Sequence, residues 1–395
     1  MIAAGKTART RPPLARTHDW VLIAFAMFAV GWGANQFSPM LIVYRHELNL
    51  GAAAVAGLFA IYAATLVPGL LIGGPASDRY GRRAAVLPFV ALSPVATLLL
   101  IIGPHNLALI AASRALAGLC SGVVFGSATA WVQELSHGAG ARRAALAISA
   151  GFGLGPVVAA ALAQWAADPL QVPYLPHLVI GAAATVLILR VPDAGGAAAG
   201  ALAPRHWPPA AVRTPRFWLA VAPAAPLVFG SVSTAIVVLP EDVTSAKTLS
   251  AGFAGLITAL AFSAGVGIQP LARRAAADHG LIAGLCAAAI GTGIGVAAVQ
   301  GQSRVLAGLA AVFLGLAYGT CLVCGLRQAE ALAGATDRGA VVACYYALAY
   351  VGFAAPYLAA ALGAAVGQVG ALAIMAAAVA VIAAWTAAYT RRGEA

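Results

Sequence analysis

Twelve apolar runs, most of them near 20 residues or longer, constrain this chain more than any single residue does. They fall near 20–43, 53–74, 84–102, 106–133, 144–167, 172–190, 217–239, 250–271, 280–300, 304–329, 341–364 and 368–389. A helix crosses the hydrocarbon layer of a bilayer in about 20 residues. Of the 395 residues, 62% are hydrophobic and 9% charged, against roughly a quarter charged in a soluble domain. The fold class expected is an all-α polytopic membrane protein with twelve transmembrane helices, its immediate partner the lipid bilayer.

The net charge of +11 would suit a nucleic-acid binder, but the basic residues lie in short loops, without interleaved aromatics. Nineteen of the 23 Lys and Arg fall on one side of the spans. They include Lys6, Arg9, Arg11 and Arg16 in the N-terminal tail, Arg79, Arg82 and Arg83 after span two, and Arg142 and Arg143 after span four. Arg45, Lys247 and Arg304 fall on the other side, and Arg114 lies within a span. Basic loops stay cytoplasmic, so both termini are expected there and no nucleic-acid partner is expected. The first run is too long for a signal-peptide core and has no evident cleavage site. Cys120, Cys286, Cys321, Cys324 and Cys344 all lie in apolar runs and read as small buried residues. Cys321 and Cys324 have redox or metal spacing but no accompanying His or acid, so no metal or cofactor is expected. No ATP-binding loop occurs, so direct use of ATP is not expected.

The runs divide six and six. A tail (1–19) precedes a bundle (20–190), then a linker (191–216) rich in Ala, Gly and Pro, a second bundle (217–389) and a short tail (390–395). Three echoes recur at an offset near 200 residues. Gly31–Asn35 aligns with Gly230–Thr234, Asp78–Gly81 with Asp278–Gly280, and the segment ending at Pro156 with the one ending at Pro356. Two pseudo-symmetric six-helix bundles rocking about a central site would follow.

The loop after span two, Gly74-Pro75-Ala76-Ser77-Asp78-Arg79-Tyr80-Gly81-Arg82-Arg83, must return the chain to the membrane while keeping three arginines in water. Its pattern closely resembles the G-x-x-x-D-R-x-G-R-R loop between helices two and three of the major facilitator superfamily. That resemblance covers essentially the whole chain. It implies a monomeric transporter of a small-molecule substrate, working by alternating access and here resembling the drug–proton antiporters of a bacterial-type inner membrane. It also implies a conformational switch built from Gly74, Asp78, Arg79, Gly81, Arg82 and Arg83, working against span eleven, which Asp337 and Arg338 precede. Gly151-x-x-x-Gly155-Pro156 on span five is similar to the motif of the family's exporters. Its glycines permit close helix contact and its proline a bend, which would suit a pliable contact between the halves.

Arg114 is the sharpest single residue. A mid-bilayer arginine costs several kcal/mol and faces the bundle interior with a partner. Arg114, Gly118 and Gly122 resemble the family's helix-four motif, associated with proton coupling, although Ala117 departs from it. Arg114 would serve substrate or proton, or else tie neighbouring helix carbonyls. The twelve acids all sit in loops or at span ends, so protons would have to use peripheral groups such as Asp19, Asp78 or Glu134. Asn35, Gln36, Tyr62, Ser231, Thr234, Tyr345, Tyr346 and Tyr350 are candidate cavity residues, with Asn35 and Gln36 about 100° apart on their helix so that one of the two faces the cavity. Trp20, Trp165 and Tyr174 read as interface anchors. His177 lies near the outer mouth of span six, and Glu241, Asp242 and Lys247 read as a solvated outer loop.

The function expected is proton-coupled efflux of a small amphipathic compound. The alternative is import or facilitated passage of a small polar or anionic nutrient, with Arg114 as the anion clamp. An embedded enzyme would need a nucleophile with its base, or a metal cluster, and no HExxH, paired acids or Ser/His set lies inside the spans.

Overall fold

The computed structural model describes residues 18–136, 139–192, 209–243, 251–333 and 338–393, and all regular structure among them is helical. Ten helical segments are long and apolar enough to cross a membrane. In chain order the helices are α1 (Asp19–Glu47), α2 (Ala52–Tyr80), α3 (Arg82–Ile102), α4 (Leu107–Leu135), α5 (Gly140–Trp165) and the shorter α6 (Val172–Ile188). The second set is α7 (Phe217–Asp242), α8 (Ala251–Arg274), α9 (Ala277–Gln300) and α10 (Arg304–Leu332). The last helical segment turns a corner at Gly367, whose φ of +78° only glycine adopts freely. That corner separates α11 (338–366) from α12 (368–393), so the described chain makes twelve passes.

Lipid offers helices little hydrophobic reason to associate, so close backbone approach over small residues holds them together. Both sets use the same seams. Gly118 and Gly122 of α4 face the Tyr62 and Leu66 carbonyls of α2, and a Cβ at either glycine would collide with them. Gly315 and Gly319 of α10 meet the Ala261 and Gly265 carbonyls of α8 in the same way. Gly31 packs on Gly151 between α1 and α5, and Gly230 on Gly352 between α7 and α11. The sequence echoes therefore mark equivalent helix contacts.

The two most buried helices, α1 and α7, are also the least regular. Of their most apolar stretches, 78% and 83% of residues are buried. In α1 the chain turns over Gln36–Pro39 because Pro39 has no N–H to continue the ladder. Ser38 N–H then bonds the Asn35 carbonyl at 3.0 Å, which leaves the Ala34 carbonyl for a partner outside the helix. In α7, π-helical turns occupy Phe217–Val221 and Thr234–Val238.

Candidate functional site

Between the halves lies a cavity of about 390 Å³. Leu71, Thr129, Ala145, Gln269 and Val342 line it and stand near the arginine-rich ends of their helices. Toward the arginine-poor face it ends on an aromatic stack, with Phe229 4.6 Å from Tyr350 and 4.8 Å from Phe353. Phe125, Phe152, Tyr318 and Tyr346 add aromatic wall, while Gln269, Ser149 and Thr129 bring an amide and two hydroxyls. Among the described residues, no ionisable acid or base other than tyrosine lines it.

Beyond that stack the halves close on each other. Phe353 of α11 packs on Phe59 and Tyr62 of α2, at 5.4 and 6.1 Å, and Phe152 of α5 stacks on Phe262 of α8 at 6.1 Å. Gly252 N–H reaches Gln164 Oε1 at 3.4 Å. At the arginine-poor end Arg45 of α1 pairs with Glu241 of α7. Glu241 and Asp242 thus exceed the solvated-loop reading: Glu241 is a cross-half ion-pair partner, and the next residue's carbonyl accepts from Gln302 at 2.8 Å. Lys247 lies outside the described residues. These contacts close the arginine-poor side and leave the cavity in the arginine-rich half.

Of the candidate cavity residues, Tyr346 and Tyr350 line the cavity and the others do not. Arg114 is 2% exposed, sealed in the N-terminal half. Its Nη1 donates to the freed Ala34 carbonyl at 3.1 Å, and its guanidinium sits over Phe37 (4.5 Å) and Tyr62 (4.8 Å). The break in α1 also directs both amides inward. Asn35 Nδ2 donates to the Phe152 carbonyl at 2.7 Å, tying α1 to α5. Gln36 Nε2 donates to Thr97 Oγ1 at 3.1 Å, and the Thr97 hydroxyl lies 2.7 Å from His177 Nδ1. His177 is wholly buried rather than at a mouth. Tyr345 donates to the Cys321 carbonyl at 2.8 Å, and Ser231 and Thr234 are buried beside the π turn of α7. Tyr174 is no interface anchor: it is buried, with its hydroxyl 3.1 Å from that of Tyr44. Trp165 is 80% exposed, as an anchor should be.

The glycine face of the span-five motif serves the N-terminal half internally rather than a contact between halves. A Cβ at Gly155 would come within 2.8 Å of the Trp32 carbonyl, and one at Gly151 would collide with Phe28 of α1. The cross-half contact with α8 runs along the other side, through Phe152 and Ala160.

In the charged loop, Gly81 has φ +97° and lets α3 start one residue after α2 ends. Arg82 Nη1 bonds Asp78 at 2.7 Å and Ser77 at 2.6 Å, and Nη2 bonds Glu134 at the end of α4 at 2.7 Å. Arg83 reaches toward the Val191 carbonyl, Arg79 lies over the Tyr80 ring, and Gly74 has open space around it. Asp337 and the side chain of Arg338 lie outside the described residues. Glu134 is a loop partner that its place at a span end did not reveal. The aromatic wall was equally hidden, because a Phe in an apolar run carries no signal of its own. Gln269 and Tyr318 did carry one, a polar atom inside a span.

The model of the Major Facilitator Superfamily matches residues 21–352. No curated protein matches the chain in sequence. Among solved structures, a mutant of the peptide transporter POT in complex with alafosfalin superposes with a TM-score of 0.80 at 15% identity, covering 99% of this chain and 96% of that one. A mutant of the nucleoside transporter NupG gives 0.73 at 11%, covering 94% and 99%. A bacterial homolog of the human lysosomal transporter Spinster, in an inward-facing and occupied conformation, gives 0.70 at 13%, covering 94% and 96%. At such identities the likeness is one of fold. The matched family model spans most of the sequence: this chain belongs to the Major Facilitator Superfamily.

Proposed function

We propose that this transporter exports a small, uncharged or weakly basic amphipathic compound bearing an aromatic or flat apolar part, by alternating access coupled to protons. The observation that carries this reading is the cavity wall. Stacked rings contribute affinity through area and π contact, one amide and a few hydroxyls orient the ligand, and no fixed charge among the described lining residues would compensate an ionised substrate. The anion-clamp alternative needs Arg114 to meet substrate, and it is instead held by Ala34, Phe37 and Tyr62 behind the aromatic floor. With the arginine-rich side cytoplasmic, the conformation described loads from inside.

Proton coupling is supported by the place of Glu241. An ionised Glu241 pairs with Arg45 across the halves, and protonation removes that attraction. Acid on the arginine-poor side therefore favours opening there. Flux in proteoliposomes under an imposed pH gradient, with neutral, cationic and anionic aromatic compounds, tests the proposal. Efflux of neutral or weakly basic members should accelerate when the receiving side is acidic. Acceleration of anions alone, or indifference to the gradient, would refute it.

A further inference from the structure

The two halves finish their arginine-rich ends differently. In α4, nine residues past the seam glycine Gly122, Trp131 is wholly buried and fills the bundle. At the matching place in α10, nine residues past Gly319, stands Gln328. There the C-terminal half holds a cavity of about 630 Å³ between the ends of α7, α9, α10 and α12, larger than the central one.

Its floor is apolar, with Val221 and Leu332, and its polar groups are of opposite kinds. Arg216 supplies a cation and Tyr389 a hydroxyl; Asp278 supplies a carboxylate. Gln328 Nε2 donates to Asp278 Oδ1 at 2.5 Å, while Gln328 Oε1 is buried with no hydrogen-bond partner among the described residues. Depth identifies the occupant. Trp218, two residues past Arg216, and Trp385, one turn before Tyr389, are each 52% exposed. Trp385 Nε1 bonds the Leu219 carbonyl at 3.1 Å, which joins α12 to α7 beside the cavity. Half-exposed tryptophans at helix ends mark the level of lipid headgroups.

We propose that this cavity is a phospholipid site selective for a phosphoethanolamine headgroup. The phosphate would lie on Arg216 and the Tyr389 hydroxyl. The primary ammonium would donate to the Asp278 carboxylate, which Gln328 Nε2 orients at the cavity wall. A choline headgroup has no N–H to donate. A glycerol headgroup brings the phosphate charge with no cation for Asp278.

Native mass spectrometry of the full chain, exchanged into mixed lipids of equal chain length, counts the retained lipids. Phosphatidylethanolamine should be retained about tenfold over phosphatidylcholine or phosphatidylglycerol, the scale of one good charge-assisted hydrogen bond. Gln328→Trp, borrowing the other half's residue, should fill the cavity and abolish the preference, and Asp278→Asn should abolish it without filling. Arg216→Gln serves should either of these fail to fold: it should lower the retention of all three lipids alike, because the phosphate is common to them. Equal retention of the three lipids by the unaltered chain, preference for phosphatidylglycerol, an unchanged preference in folded Gln328→Trp or Asp278→Asn, or undiminished retention in Arg216→Gln would overturn the assignment. So would displacement of the lipid by soluble phosphorylethanolamine at matched concentration, which would make the cavity a site for a water-soluble ligand.

Discussion

Set side by side, the two halves share a scaffold and differ in chemistry. Arg114 and Ala311 each stand four residues before the first glycine of a seam, Gly118 or Gly315. On the facing helices the carbonyls those glycines meet belong to Tyr62 and Ala261. One half therefore places an arginine–tyrosine pair where the other places two buried alanines. The same half holds the Gln36–Thr97–His177 chain and the Asn35 tie to α5. In the interior of the C-terminal half the described residues show instead hydroxyl-to-carbonyl bonds, such as Ser233 to Gly352 at 3.3 Å and Tyr345 to Cys321 at 2.8 Å, with two π turns in α7. Backbone proximity is the inherited part of this architecture, and buried polarity was placed on it unequally. A half laced by side-chain bonds should move as a rigid body, leaving α7 as the compliant element.

The shared seams are the place to break the comparison hardest. Gly118→Leu and Gly315→Leu should be equally damaging, since each inserts a side chain into a facing carbonyl. Overpacking costs about 1–3 kcal/mol where neighbours can yield, and backbone cannot yield. Loss of the peak of the folded protein in size-exclusion chromatography should accompany both. A tolerated Gly315→Leu beside a ruinous Gly118→Leu would show that the seams are not equivalent. Arg114→Met comes next. The substitution removes the contacts with the Phe37 and Tyr62 rings and leaves the buried Ala34 carbonyl without its donor, which costs about 1–3 kcal/mol. Melting temperature should fall steeply, while substrate affinity per folded molecule changes less than about threefold. A normal melting temperature with lost binding would return Arg114 to the substrate.

Much of this was legible in the residues. Apolar run lengths gave the helices, including the corner near 367, and the echoes at Gly31, Gly151 and Pro156 gave the paired bundles. The site was less legible, for a physical reason. A polar residue inside a membrane must find a partner, and the sequence shows the need without showing which partner meets it. Asn35, Gln36 and Arg114 met theirs within one half, once Pro39 had broken α1 and freed the Ala34 carbonyl. Glu241 met Arg45, far off in sequence and on the other half. The cavity wall went to aromatic residues, whose presence in an apolar span demands nothing.

Smaller effects separate cavity from scaffold. Phe229→Ala and Tyr350→Ala remove rings stacked at 4.6 Å that also line the cavity. Each should weaken binding about tenfold, on the scale of one aromatic contact with its area, and shift melting by only a few degrees. Tyr345→Phe, one residue from the lining Tyr346 but bonded to the Cys321 carbonyl, should do the reverse. Equal affinity losses at Tyr345 and Tyr350 would mean that the cavity extends past its described wall. Glu241→Gln should raise the share of molecules open on the arginine-poor side and flatten the pH dependence of flux, measured by distance distributions between labels on α1 and α7. An unaltered pH profile would move coupling elsewhere.

The smallest effect belongs to the charged loop. Asp78 and Glu134 are 50% and 45% exposed where they meet Arg82, and exposed ion pairs contribute about 0–1 kcal/mol. Glu134→Gln should leave melting almost unchanged, yet it loosens the tether between the α2–α3 turn and the end of α4. The corresponding turn of the other half is tethered without a second carboxylate: Gln328, at the register of Trp131, meets Asp278 there, Ala331 stands at the register of Glu134, and Arg327 caps the end of α8 through the Ala275 carbonyl at 2.8 Å. Replacing Glu134 therefore makes the first half resemble the second. If the charged version exists to hold the loop ready for the outward-open state, Glu134→Gln should slow turnover about two- to fivefold at unchanged affinity, the kinetic equivalent of about 0.5–1 kcal/mol. An equal loss of affinity would instead place this loop's influence on the cavity itself.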